Sequence, residues 1–325
     1  MTGIPSSEVV SDYDGFDFTR IWKGREKVTE VERAVLARSL DGVDGRRLLE
    51  IGTGFGRLTA CLTSVGQEVV ALDFDASALG RIPPSENGRP PIARVAGNLY
   101  HLPFVDGAFS GATMVRVLHH LTDPVAALTE IGRVLGDGSR LIVSYSAKPS
   151  VGTLLTDVQR ALSDSSAPPF RSATFSRGAA IYLSGSPFPV IVGSRATFRS
   201  WVGSAGFEIE TERVAGLEEY RFLRSLPSGH FVRWAETFGR APGFPIRFAQ
   251  LRLHRTGGKE WVPSDRILAC PRCRAGLGWP GRDPIFTCPA CGFFGETRHG
   301  VIDLRYVPEG TPRRSSSVAP AAEPR

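Results

Sequence analysis

The sequence predicts an α/β fold: a mainly parallel sheet with helices on both faces, followed by a small four-cysteine module. Three observations carry this. Short apolar runs alternate with amphipathic stretches up to residue 146. A loop of alternating glycines, Gly52-Thr53-Gly54-Phe55-Gly56, directly follows the first apolar run. Cys270, Cys273, Cys288 and Cys291 stand as CxxC-x14-CxxC near the end of the chain.

The elements follow in order. "TEVERAVLARSL" reads as a helix, with Thr29 and Glu32 at capping-box spacing and Val31, Val35 and Leu36 on one face. "RRLLEIG" is a short apolar strand. "RLTACLTSVG" places Leu58, Cys61, Leu62 and Val65 at helical spacing, closed by Gly66. "EVVALDFD" and "ATMVRV" are further strands. "DPVAALTEIGRVLGDG" has Asp123 as N-cap, Pro124 at the first helical position and an end at Gly136. "SRLIVSYS" is the next strand. Ligands of such sheets sit outside the carboxyl ends of the strands. Glu50 to Gly56, Asp73, Asn98 and Arg116 all follow predicted strand ends.

Composition sets bounds. With 325 residues and 42% hydrophobic content, the chain can build one large domain and a small one. No apolar run approaches the roughly 18 residues of a membrane span. The first residues lack the basic and apolar regions of a signal peptide, so a cytoplasmic location is expected. The net charge is +6, and the basic excess lies mostly in residues 158–257. That excess suits an anionic substrate or RNA, or simply solvated arginine faces.

The glycine loop has the form GxGxG, with Arg57 where a dinucleotide fingerprint has its third glycine. A phosphate-binding P-loop needs a GK pair followed by Ser or Thr, and neither stands here. Asp73 ends the second strand, where a carboxylate can accept both hydroxyls of a ribose. "GNLYHLPFVDGAFSGATMVRVLHHLTDP" and "RVLGDGSRLIVSYS" follow. In these features the chain resembles the class I S-adenosylmethionine-dependent methyltransferases, especially the ubiquinone/menaquinone-type branch. The resemblance covers residues 20–146, with weaker support to about 257.

It implies a Rossmann-like fold and S-adenosylmethionine as cofactor. Glu50, Gly52, Gly54 and Gly56 would form the first motif, Asp73 would hold the ribose, and Asn98 and Leu99 would sit by the adenine. Asn98 departs from the acid frequent there, and Ser110 from the Asp frequent after the Phe. Methyl transfer is an in-line displacement from a good leaving group, so positioning and desolvation supply much of the catalysis. Arg116, His119 and His120 are the candidates beside the acceptor. Arg25 is a candidate for the cofactor carboxylate, and Tyr13, Phe16, Trp22 and Phe55 for the cavity mouth.

Four cysteines at this spacing suit a tetrahedral structural zinc ion, Zn2+. The stretch "ILACPRC…CPACG…HGVIDLR" resembles the zinc-ribbon activator subunits of RNA and protein methyltransferases. The expected organisation is a methyltransferase domain over 1–257 with a substrate-covering insert at about 147–194. A zinc-ribbon module at 264–306 and a disordered tail at 307–325 complete it. The insert is long and apolar, so the expected acceptor is an oxygen or nitrogen of a small, largely apolar molecule. The alternative is an RNA or protein substrate with the zinc module as built-in activator. Against it, no NPPY-type motif follows the fourth strand.

Overall fold

The computed structural model describes residues 10–12, 18–83, 91–146, 179–182, 189–219, 223, 225–239, 241, 244, 246–254, 262–279, 284–311 and 313–315. Tyr13, Phe16 and most of the expected insert lie outside them.

The described chain runs β1 (Val10–Asp12), α1 (Phe18–Trp22), α2 (Glu26–Ser39), β2 (Leu48–Ile51), α3 (Thr59–Thr63), β3 (Val69–Asp73), α4 (Ala76–Gly80), β4 (Ile92–Ala96) and β5 (Phe109–Met114). It continues through α5 (Pro124–Val134), β6 (Leu135–Ser146), β7 (Ala179–Tyr182), β8 (Pro189–Val192), α6 (Arg195–Ser204), β9 (Phe207–Ala215), α7 (Ser228–Thr237) and β10 (Ile246–Leu253). The last part holds β11 (Ile285–Thr287), β12 (Phe294–Arg298), β13 (Val301–Asp303) and β14 (Arg313–Ser315).

Ten strands form one sheet, in the order β11-β12-β13-β4-β3-β2-β5-β6-β10-β9. The strands from β13 to β6 are parallel, and β10 runs antiparallel to β6 and β9. The central strands are apolar throughout because both faces are covered. On one face α5 and α6 bury Leu128, Ile131 and Phe198; on the other α2 and α7 bury Val31, Val35, Leu36 and Phe231. Each such side chain contributes on the order of 1.5–3 kcal/mol. The strand order reverses at β2, which opens a crevice at the carboxyl ends of β2, β3 and β5. The architecture is the expected Rossmann-like one.

Several local expectations change. Helix α2 begins at Glu26, one turn before Thr29, so Thr29 and Glu32 lie in its interior and form no cap. Helix α3 is a single turn, and Val65 beyond it is exposed. Helix α5 stops at Val134 because β6 starts at Leu135, and Asp123 caps it by accepting from Ala126 N–H.

The four-cysteine module does not stand apart from the main fold. Its strand β13 pairs in parallel with β4, so the ribbon extends the main sheet. Ile267, Leu268, Leu277, Ile302 and Leu304 belong to the same core cluster as β5 and α5. Buried Arg47 donates to the carbonyls of Ala108 and Val262 and to Ser264, which closes the joint from below. The tail expected to be disordered contains β14, which pairs in parallel with β1. Residues after 315 lie outside the described ones. Of the insert, the structure describes the β7–β8 hairpin and the residues just after it, and β8 runs beside the Leu118–His120 turn. No helix among the described residues is long and apolar enough to cross a membrane.

Candidate functional site

A cavity of about 220 Å³ occupies the crevice. One wall is the glycine loop. Gly52, Gly54 and Gly56 all take positive φ, at 70°, 55° and 84°. A Cβ on Gly52 would stand 2.1 Å from Val117 Cγ2, so side-chain bulk is excluded there. The N–H groups of Gly52 and Thr53 donate to the Leu72 carbonyl, at 2.8 and 3.1 Å. The loop is thereby strapped to β3.

Two carboxylates meet this loop. Asp73 accepts from Gly54 N–H at 2.7 Å and from Asp75 N–H at 2.9 Å. Burial raises its pKa above the ordinary value, against these donors. Glu50 accepts from the Thr59 hydroxyl at 2.6 Å. Burial lifts its pKa from 4.5 to about 7, opposed by Thr59 and Arg57 and helped by Asp73.

The mouth is built on a buried acid that sequence reasoning missed. Glu32 is fully buried and pairs with Arg57 and with Arg116, both at 2.7 Å. The two cations hold its pKa below normal although burial works the other way. Arg57 also stacks on Trp22, its guanidinium carbon 3.7 Å from the ring centroid. The Arg57 side chain is only 10% exposed, and its Nη1 meets no hydrogen-bond partner among the described residues. Arg116 has φ 63°, a strained left-handed value for a non-glycine residue. Its N–H donates to the Ser144 hydroxyl at 2.7 Å, which fixes the turn.

The other predicted residues divide. Glu50, Gly52, Gly54, Asp73, Asn98, Leu99, Arg116 and His120 line the cavity, as do Trp22 and Phe55. Gly56 stands just behind the loop, facing Ile82. His119 does not line it. Its ring lies 4.0 Å from that of His120 and faces a separate small cavity beside Tyr145 and Phe198. Burial pulls the His120 pKa down to about 4 and that of His119 well below normal, so both rings are neutral at pH 7. Arg25 also misses the cavity: it sits at the N-terminus of α2, 5.4 Å from the Trp22 centroid, while Arg57 takes the mouth. Phe74 lines the cavity and was not foreseen, although it directly follows Asp73.

Asn98 does more than face the cavity. Its amide donates to the Tyr306 carbonyl at 3.0 Å, and its oxygen accepts from Tyr100 N–H at 3.1 Å. The chain leaving the ribbon therefore touches the cavity wall.

The four cysteine sulfurs lie within 4.8 Å of one another. Cys270–Cys291 and Cys273–Cys288 are 3.5 and 3.6 Å apart. A tetrahedron of ~2.3 Å zinc–sulfur bonds places sulfurs roughly 3.8 Å apart, so the cluster fits zinc with little movement. Each pair is a knuckle. The N–H groups of Arg272 and Cys273 face the Cys270 sulfur, and those of Ala290 and Cys291 face the Cys288 sulfur. Arg274 and Gly292, after the second cysteine of each pair, take φ 64° and 72°.

Comparison with known proteins agrees with this geometry. Residues 49–143 match a family described as a methyltransferase domain. The chain is 30% identical over 152 residues to a demethylmenaquinone methyltransferase of Renibacterium salmoninarum, covering 47% of this chain and 59% of the relative. It is 32% identical over 142 residues to one of Beutenbergia cavernae, covering 44% and 54%. The chain thus spans less than two thirds of the length of these relatives. Among solved structures, an S-adenosylmethionine-dependent methyltransferase fold from Listeria monocytogenes aligns with TM-score 0.50 at 14% identity, over 71% of this chain and all of that one.

Proposed function

We propose that the chain is an S-adenosylmethionine-dependent methyltransferase acting on an oxygen or nitrogen of a small, largely apolar acceptor. The observation that carries this is the convergence of the glycine loop, Asp73 and Arg57 on one cavity at the strand-order reversal, with Arg57 Nη1 lacking a hydrogen-bond partner among the described residues. A buried guanidinium nitrogen without a partner is costly, and a ligand carboxylate relieves the cost.

The cofactor supplies an activated methyl group on a sulfonium leaving group. Asp73 accepts from the ribose hydroxyls and still orders the loop through Gly54. Gly52 and Gly54 let backbone come close to the amino-acid tail, and Glu50 attracts its ammonium group. Arg57 takes its carboxylate, a role expected of Arg25. Leu99 and Phe74 form apolar walls for the adenine, and Asn98 fixes the backbone beside it. At the acceptor side, neutral His120 can accept a hydrogen bond from the attacking hydroxyl or amine and orient it, while its lowered pKa makes it a weak base. His119 packs against His120 and acts only by positioning it. Arg116, anchored by Glu32, stabilises negative charge on the acceptor. Zinc on Cys270, Cys273, Cys288 and Cys291 would be structural.

The curated relatives are named for demethylmenaquinone, which supports a ring acceptor of the quinone class. The arginine-rich middle gives RNA little support. Arg195 pairs with Glu212, Arg252 with Glu210, and Arg247 donates to the carbonyls of Gly239 and Ala241. Among the described residues, none from 195–255 lines the main cavity. The test offers labelled S-adenosylmethionine with a reduced, ring-demethylated naphthoquinone, bulk RNA or unfolded protein. Label on a hydroxyl oxygen of the solvent-extractable quinol supports the reading, and label on a ring carbon keeps the small acceptor while overturning the oxygen-or-nitrogen assignment. Label in RNA that vanishes with added salt overturns it.

A further inference from the structure

We propose that metal held by Cys270, Cys273, Cys288 and Cys291 sets the affinity of the main cavity for an adenine-bearing ligand, through Arg305 and Tyr306. The inference rests on the cofactor reading above and adds a role for the ribbon.

The metal site and the cavity share a short piece of chain. Strand β13 leaves the ribbon alongside β4, and Leu304 N–H continues the ladder to the Ala96 carbonyl at 2.8 Å. Arg305 follows, held by Asp303 at 2.6 Å. Its guanidinium lies 5.7 Å from the Phe74 ring centroid, and its Nη1 donates to the Phe74 carbonyl at 3.4 Å. The Tyr306 carbonyl takes the Asn98 amide. Phe74 and Asn98 are both cavity walls.

The same piece of chain leans on the metal knuckles. The Tyr306 ring meets Phe293 edge-on at 6.0 Å, and the Phe293 carbonyl accepts from Cys288 N–H at 2.7 Å. On the other side Ala269, next to Cys270, donates to the Pro103 carbonyl, and Val105 donates to that of Ile267, at 3.0 and 2.9 Å. The ribbon therefore grips the β4–β5 connection from both ends. That connection carries Asn98, Leu99 and Tyr100. A ribbon with four cysteines at its centre owes much of its order to its metal. When the knuckles loosen, both grips loosen, and the adenine wall loses its register.

Coupling between two binding sites is reciprocal, which gives a sharp test. S-adenosylhomocysteine is titrated calorimetrically into the full chain with zinc, after chelation, and into zinc-loaded Arg305→Ala. Zinc retention against a chromogenic chelator is measured with and without saturating S-adenosylhomocysteine. The expected result is a loss of about tenfold in ligand affinity on chelation, and ligand strengthening zinc retention by the same factor. Arg305→Ala should keep one zinc per chain and its thermal transition. Its ligand affinity should fall about fivefold, and the zinc–ligand coupling should shrink with it. A purely structural arginine would leave that coupling intact. If chelation unfolds the chain, the zinc-loaded Arg305→Ala protein decides alone. Equal affinity with and without zinc and in Arg305→Ala overturns the inference while leaving the cofactor reading standing. A zinc-loaded wild type that binds no S-adenosylhomocysteine overturns both.

Discussion

Glu32 Oε2 lies 2.7 Å from Arg57 Nη2, and the Glu32 carboxylate is fully shielded from solvent. The pair joins α2 to the glycine loop, and the second Glu32 oxygen carries Arg116 at the end of β5. One buried acid thus aims the two arginines of the cavity mouth.

Removing that acid strands two cations. Glu32→Ala should destabilise the protein by about 3–5 kcal/mol, the usual cost of breaking a buried pair from one side. Glu32→Gln keeps the shape and should lose less. Denaturant unfolding of the three proteins checks the order.

Glu50 predicts a pH effect of definite sign. Its folded pKa is raised from 4.5 to about 7, so between these values the native state keeps a proton that the unfolded chain has released. Its unfavourable contribution is absent below 4.5, grows as pH rises to 7 and is complete above. Glu50→Gln should therefore stabilise the ligand-free protein by about 3 kcal/mol at pH 8 and by nothing near pH 4. Thermal unfolding across that range reads the difference. A gain that is the same at both pH values contradicts the assignment.

Asp73 has two tasks, and two variants separate them. Asp73→Ala should weaken S-adenosylhomocysteine by about tenfold to a hundredfold, the loss of charge-assisted hydrogen bonds. Asp73→Asn keeps an acceptor for Gly54 N–H and should retain the loop, with an intermediate affinity. Calorimetry on both proteins tests this; unchanged affinity in Asp73→Ala rejects the ribose role.

The ribbon should unfold with the rest of the chain. Cys270 and Cys288 are buried in the core cluster that includes Phe104, Leu128 and Leu141. Cys288→Ser should lower the main thermal transition and abolish binding of one zinc per chain. A separate low-temperature transition, with the main one unmoved, would show an independent module instead.

The sequence made much of this legible, for physical reasons. Period and capping carry the α/β order: Asp123 and Pro124 start α5 as read, and the apolar runs become central strands. The glycine loop was legible because few residues other than glycine tolerate positive φ at such a close approach. The cysteines were legible because knuckle spacing is local. Contacts between distant residues were not. Glu32 looked like a capping residue, since nothing nearby in sequence signals Arg57 and Arg116. The split between His119 and His120 depends on a short helical turn that sends adjacent rings to different cavities. The merging of the ribbon with the main sheet depends on β13 meeting β4, and Tyr306 meets Asn98 across 208 residues.

The most direct test of the central claim is calorimetric titration of zinc-loaded protein with S-adenosylhomocysteine and with 5′-methylthioadenosine, for wild type and Arg57→Gln. The account predicts one S-adenosylhomocysteine per chain. Its affinity should fall about tenfold or more in Arg57→Gln, while 5′-methylthioadenosine, which lacks the carboxylate, binds both proteins equally. Absence of S-adenosylhomocysteine binding to wild type, or an equal loss for both ligands in Arg57→Gln, would contradict it.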